Sequence, residues 1–248
     1  MNVKSKVAAF ALACALWPAA RAEPIQLSAA DGVKVFGELW RGPGARPPVL
    51  LAFHQAGSSS AEYAPLAPRL VQAGFTVLAI DQRSGGAAFG GSNRTVAALR
   101  REASYRQALP DLEAALAWAR ANANGAPIVV CGSSYSAALV FLLAAAHPGE
   151  VSAVVAFSPG EYLDDGHAVR TAAAKVEVPV YIDQASGADE VAQSARILKA
   201  VPGADKQQLV SKTRSTHGAS TLRADANPAG SEVHWKAVLK FLARFSTG

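Results

Sequence analysis

Residues 128–148, IVVCGSSYSAALVFLLAAAHP, place three serines within four positions, after an apolar run and ahead of a segment rich in alanine and leucine. The run before them is short and β-branched, as a buried strand is, and the segment after them reads as a helix that stops at His147-Pro148. A tight strand-to-helix turn brings two backbones nearly into contact. Its central residue is held in strained geometry with the side chain exposed above the sheet, and the residues two positions away must be small. Only Ser134 meets that condition, with Gly132 and Ser136 on either side. Ser133 is flanked by Cys131 and Tyr135, and Ser136 by Ser134 and Ala138. Ser134 also begins a helix, where free N–H groups and the positive end of the dipole favour developing negative charge. The pentapeptide alone fits two readings, a nucleophile and a plain N-cap serine.

The rest of the chain tells which machinery surrounds that turn. Strand-like runs are expected at 34–40, 48–54, 75–81, 127–132, 151–158, 178–183 and 206–212. Helical patterns are expected at 60–74, 104–122, 134–147, 189–200 and 231–245, and Pro110 moves the proper start of the second toward Leu109. Continuous apolar strands alternating with helices predict an α/β fold, a mostly parallel central sheet with helices on both faces. Ligands of such sheets bind at the carboxyl ends of the strands. The loops after His54, Asp81, Gly132, Ser158, Asp183 and Lys212 should therefore share one rim. Roughly twenty residues separate Ser158 from Val178, too few for a large lid. The stretch 84–100, SGGAAFGGSNRTVAALR, reads as a loop beside the site.

A serine hydroxyl needs a base, and the base needs an orienting acid. Of five histidines, His147 ends a helix, His234 is expected on the surface of the last helix, His54 ends a central strand and His167 lies in a loop. His217, in RSTHGAST just after the last strand, has the rim position a base requires. For the acid, Asp189 is preferred and Glu190 is the alternative, with helix register deciding between them. Asp189 gives the order Ser134, Asp189, His217. An oxyanion wants two backbone N–H donors. Tyr135 should supply one, and Ala56 or Gln55, in HQAGSSS after strand 48–54, the other. Gly57 permits that turn. Tyr135, Phe89, Tyr162 and His167 fit pocket-lining and packing roles equally.

Composition narrows the class. The 248 residues are 50% hydrophobic, enough for one sizeable core. Lys4 and Lys6, the apolar stretch Val7–Trp17 and Ala20-Arg21-Ala22 read as a signal peptide at 1–22, leaving a single domain over 23–248. About 11 apolar residues are too few for a stable membrane span. Cys14 is a weaker candidate for lipid attachment. Without the leader the chain has 21 basic and 19 acidic residues and no basic run, so no nucleic-acid partner is expected. Cys131 then has no disulfide partner. Neither a cofactor nor a metal is implied.

Taken together, LLAFHQAGSSSAEYAPLAPRL, VLAIDQRSGG, VVCGSSYSAAL, VPVYIDQASGADE and STHGAST resemble the α/β-hydrolases, specifically the small lidless dienelactone-hydrolase-like members. The resemblance covers nearly all of 23–248. It implies Ser134 as nucleophile, Asp189 as acid and His217 as base, with the loop after His54 completing the oxyanion hole. It also implies that Asp81 and Arg83 hold their loop rather than take part in chemistry. Ser136 and Gln55 stand where the family usually has glycine. The expectation is a secreted or periplasmic serine hydrolase of small carboxylic esters or thioesters, working through an acyl-enzyme. Peptidase or amidase activity, or a non-catalytic ligand-binding module, are the alternatives.

Overall fold

The computed structural model describes residues 21–246 except Glu102 and Asp164. The expected leader, its cleavage site up to Ala20, and Cys14 lie outside the described residues.

Eight strands form one sheet: β1 (Glu23–Ser28), β2 (Lys34–Trp40), β3 (Val49–Phe53), β4 (Thr76–Ile80), β5 (Ile128–Ser133), β6 (Ala153–Phe157), β7 (Val180–Asp183) and β8 (Lys206–Leu209). Their spatial order is β1-β2-β4-β3-β5-β6-β7-β8, with β2 antiparallel to both neighbours and every other pairing parallel. The helices are α1 (Ala67–Gln72), α2 (Arg94–Leu99), α3 (Leu109–Asn122), α4 (Tyr135–Ala146), α5 (Ala168–Ala173), α6 (Ala188–Ala200) and α7 (Ser231–Leu242).

Every residue of β3, β4, β5 and β6 is buried because both sheet faces are covered. In β3, Val49, Leu51 and Phe53 face the layer holding α3, α4, α5 and α6, and Leu50 and Ala52 face the layer holding α1 and α7. That explains why these strands read as unbroken apolar runs instead of alternating ones. The α4 segment is equally apolar around its circumference, since it lies between the sheet and its neighbours α3 and α5.

Four elements depart from the sequence reading, among them α5, which lies between Ser158 and Val178 where no helix is expected. β1 is an edge strand whose Pro24 and Gln26 weaken the strand pattern. α2 forms inside the expected loop 84–100, with the Asn93 side chain accepting the Val96 N–H at 2.8 Å as an N-cap. The expected helix 60–74 is split into a short 3-10 turn, Ser60–Glu62, and α1, because Pro65 and Pro68 break its hydrogen-bond ladder. Between β6 and β7 there is only α5 and its flanking turns, and no large lid is inserted.

Parallel register sets the site. Phe53 pairs with Gly132, Ser133 with Phe157, Phe157 with Asp183, and Asp183 with Leu209. The carboxyl ends of five neighbouring strands therefore reach one level, and the loops that follow them share a rim.

Candidate active site

At the end of β5 the chain turns sharply into α4. Ser134 occupies φ 58°, ψ −120°, a region that L-residues avoid, and is held there by its N–H donating to Phe157 O at 2.8 Å. A Cβ on Gly132 would come 2.3 Å from Ser136 O, so nothing larger than glycine fits without moving the turn. Ser136, on the other flank, is fully buried and donates its hydroxyl to His54 O at 2.6 Å. Serine thus replaces the usual second glycine by using its small polar side chain as a tie to β3.

Ser134 Oγ lies 2.8 Å from His217 Nε2, and His217 Nδ1 lies 2.9 Å from Glu190 Oε1. A carboxylate accepts only, so Nδ1 carries the proton toward Glu190 and Nε2 is left to accept from the Ser134 hydroxyl. This corrects the preference for Asp189. Successive helix residues point about 100° apart. The register of α6 turns Glu190 toward the rim and leaves Asp189 exposed, without a hydrogen bond to His217. Burial opposes ionisation of Glu190. Hydrogen bonds from His217, Ser158 and the Ala185 N–H outweigh that effect and hold its carboxyl below the usual range.

Ser158 is a member of this arrangement that sequence reading did not single out. It ends β6 with φ 52°, its N–H donates to Asp183 O at 2.6 Å, and its Oγ accepts the Gly218 N–H at 2.9 Å. Its hydroxyl therefore ties down the residue after His217 and is among the groups that favour the ionised Glu190 carboxyl. The only sequence signal was its place at a strand end on the expected rim.

The N–H groups of Tyr135, next in the chain after Ser134, and of Ala56 make no hydrogen bond among the described residues. Gln55 is excluded as a main-chain donor, because its N–H is already given to Glu62 Oε2 at 2.7 Å. Its side chain reaches Ser220 Oγ at 3.2 Å instead. Gly57, at φ +69°, makes the turn after Ala56. The Tyr135 ring is buried, with its hydroxyl bonded to Gln82 Nε2 and Ser84 Oγ and its face stacked on Tyr105. It packs and does not line a pocket. Tyr162 is the candidate that faces the site, its ring centroid 6.5 Å from that of His217 and its hydroxyl donating to Ser158 O.

The other histidines have separate partners. His54 is buried between Gln55 O and the Gln82 N–H, and burial depresses its pKa to about 4. His234 is not on the helix surface as expected. It is fully buried, with Nδ1 at 2.7 and 2.9 Å from the two oxygens of Asp183. Asp81 accepts from the Ser60 N–H and from Arg94, and Arg83 pairs with Asp31 and Asp111, so both residues hold loops. Cys131 is buried, and desolvation pushes its thiol up to about 12. Among the described residues no cluster of potential ligands could hold a metal ion, and no helix is long and apolar enough to cross a membrane.

The sheet order and the elbow at Ser134 define an α/β-hydrolase fold with a serine–imidazole–carboxylate chain of hydrogen bonds on its rim. The chain belongs to the serine aminopeptidase S33 family, whose model matches residues 45–175. The match takes in Ala56 and Ser134 and ends before Glu190 and His217. Among solved structures, an esterase from Pyrococcus furiosus is similar at 19% identity and a TM-score of 0.68, over 92% of this chain and 94% of that one. A dienelactone hydrolase from Anabaena variabilis is similar at 18% identity and 0.70, over 92% and 99%. An acylaminoacyl peptidase from Pyrococcus horikoshii is similar at 14% identity and 0.70, over 93% of this chain and 42% of that one. No curated protein matches the chain.

Proposed function

We propose that the protein is a serine hydrolase of small carboxylic esters or thioesters that works through an acyl-enzyme. The observation that carries this reading is the continuous hydrogen-bond chain Ser134 Oγ, His217 Nε2, His217 Nδ1, Glu190 Oε1, at 2.8 and 2.9 Å. In the first step Ser134 Oγ attacks the acyl carbon while its proton passes to His217 Nε2. Glu190 stabilises the resulting imidazolium and keeps the ring in register. The oxyanion is received by the N–H groups of Tyr135 and Ala56, with the positive end of the twelve-residue α4 behind them. His217 then protonates the leaving alcohol or thiol. Water, activated by the same imidazole, attacks the acyl-enzyme and releases the acid and Ser134.

Similarity over nearly the whole length of an esterase and a dienelactone hydrolase supports ester substrates. Peptide or amide substrates are the second reading, favoured by the aminopeptidase family match and by the peptidase neighbour. Lys4, Lys6 and the apolar stretch to Trp17 support export from the cytoplasm with cleavage before Glu23. A fluorophosphonate probe tests the central reading. Wild-type protein should be labelled and folded Ser134→Ala should not, whereas an unlabelled folded wild type would point to a binding module. A panel of p-nitrophenyl esters beside aminoacyl p-nitroanilides then separates ester from amide substrates.

A further inference from the structure

Glu62, at the end of the 3-10 turn, is fully buried beneath the rim, and both of its oxygens are used. Oε2 accepts the Gln55 N–H at 2.7 Å. Oε1 accepts the Ser133 hydroxyl at 2.7 Å, and Ser133 Oγ in turn accepts the Ala219 N–H at 2.8 Å. Each of these partners neighbours a group that the proposed reaction uses. Gln55 precedes the oxyanion donor Ala56, Ser133 precedes Ser134, and Ala219 follows His217 by two residues. The contact is close, because a Cβ on Gly218 would stand 2.5 Å from Ser133 Oγ.

A buried carboxylate is costly, and packing alone would be served better by an apolar side chain of the same size. What a carboxylate adds is two acceptors and no donor. We propose that Glu62 is a positioning residue for the reaction at Ser134, acting in its ionised form to clamp the oxyanion loop, the nucleophile turn and the histidine loop in one geometry. The inference rests on Ser134 being the nucleophile. A protonated Glu62 must itself donate a hydrogen bond. On Oε2 that proton faces the Gln55 N–H, which loses its acceptor; on Oε1 it reverses the Ser133 bond, so that Ser133 Oγ accepts from both Glu62 and the Ala219 N–H and its own proton needs a new partner. Either change loosens the clamp.

The surroundings bring that proton into the working pH range. Burial pushes the Glu62 carboxyl up to about 7, against the opposing pull of the Gln55 N–H, the Ser133 hydroxyl, Arg223 and His217. Arg223 faces it from the loop after β8, donating to the Glu62 main-chain oxygen at 3.3 Å. Tyr63 and Cys131 are the other titratable neighbours, and burial raises the pKa of both. Asp81, at the end of β4, has its oxygens engaged by the Ser60 N–H and Arg94.

The test is the second-order rate of fluorophosphonate labelling of full-length protein as a function of pH, which needs no knowledge of the natural substrate. At about pH 8, Glu62→Gln should remain folded by circular dichroism yet be labelled on the order of 10- to 100-fold more slowly, as expected for a sub-ångström misplacement of reacting groups. The acid limb of its rate profile should lose one proton relative to wild type. Ser133→Ala removes a hydrogen bond that favours ionised Glu62, so its acid limb should move to higher pH. Wild-type rates with an unchanged limb in Glu62→Gln would overturn the clamp and leave Ser134 as nucleophile. If Glu62→Gln does not fold, an acid limb of Ser133→Ala at the wild-type pH overturns the clamp instead. Absence of labelling at Ser134 in the wild type overturns both readings.

Discussion

His217 Nδ1 lies 2.9 Å from Glu190 Oε1, while Asp189, the preceding residue of the same helix, is exposed to solvent. The orienting carboxylate is thus set by one residue of helical register. Glu190→Gln keeps the size of the side chain but not its charge, so it should lower kcat/KM on the order of 10³- to 10⁴-fold. Asp189→Asn should stay within about twofold of wild type, because an exposed helix residue contributes little. Equal losses in the two variants, measured with one activated ester, would break the assignment.

Ser158 separates strain from chemistry. At φ 52° a serine stores on the order of 1–2 kcal/mol that glycine does not. Its hydroxyl also satisfies the buried Gly218 N–H, an interaction worth roughly 1–3 kcal/mol when lost. Ser158→Gly should therefore melt near the wild-type temperature, whereas Ser158→Ala, which keeps the strain and loses the bond, should melt lower. Both should lose kcat with little change in KM, since both release Glu190 and the His217 loop. Thermal melts that rank alanine above glycine would contradict this account.

The buried pair Asp183–His234 ties α7 to the end of β7 with no solvent exposure on either side chain. Asp183→Ala leaves His234 Nδ1 without a partner, and His234→Ala leaves the buried Asp183 carboxylate with only the Tyr181 hydroxyl among side-chain donors, so either should cost about 3–5 kcal/mol in chemical denaturation. Joint replacement by apolar residues should recover part of that loss, and a double-mutant cycle measures how much. Because neither residue touches Ser134, fluorophosphonate labelling of the folded fraction should continue.

Two buried groups oppose each other in the pH dependence of stability. The folded pKa of Glu62 is raised to about 7 from 4.5, so the native state binds more protons and this group lowers stability as pH rises through that window. The folded pKa of His54 is lowered to about 4 from 6.5, so the native state binds fewer, and stability falls as pH drops through that window. The two slopes nearly cancel where the windows overlap. Glu62→Gln removes one of them and should make the melting temperature rise with pH between about 5 and 6.5 more steeply than in wild type. Parallel melting curves for the two proteins across that range would refute the balance.

The fold was legible because its signals are local. Unbroken β-branched runs such as VLLAF and IVVCG can be buried only between two layers, and helices between them force parallel connections. Ser134 could be picked from its neighbours because backbone closeness at the elbow leaves a size rule in the sequence itself. His217 could be picked because the last strand delivers its loop to the common rim. The recognition of the family followed from the same stretches.

What the sequence alone determined, then, was the sheet, the elbow and the place of the His217 loop on the rim, since each depends on residues near one another in the chain. Glu190 over Asp189, the commitment of the Gln55 N–H, the burial of His234 and the bridging roles of Ser158 and Glu62 were decided only by the tertiary structure. Each depends on where a side chain meets an atom far away in sequence: 27 residues from Glu190 to His217, 71 from Glu62 to Ser133. A hydrogen bond is made or lost over a few tenths of an ångström, and no pattern of residue types along the chain carries that precision.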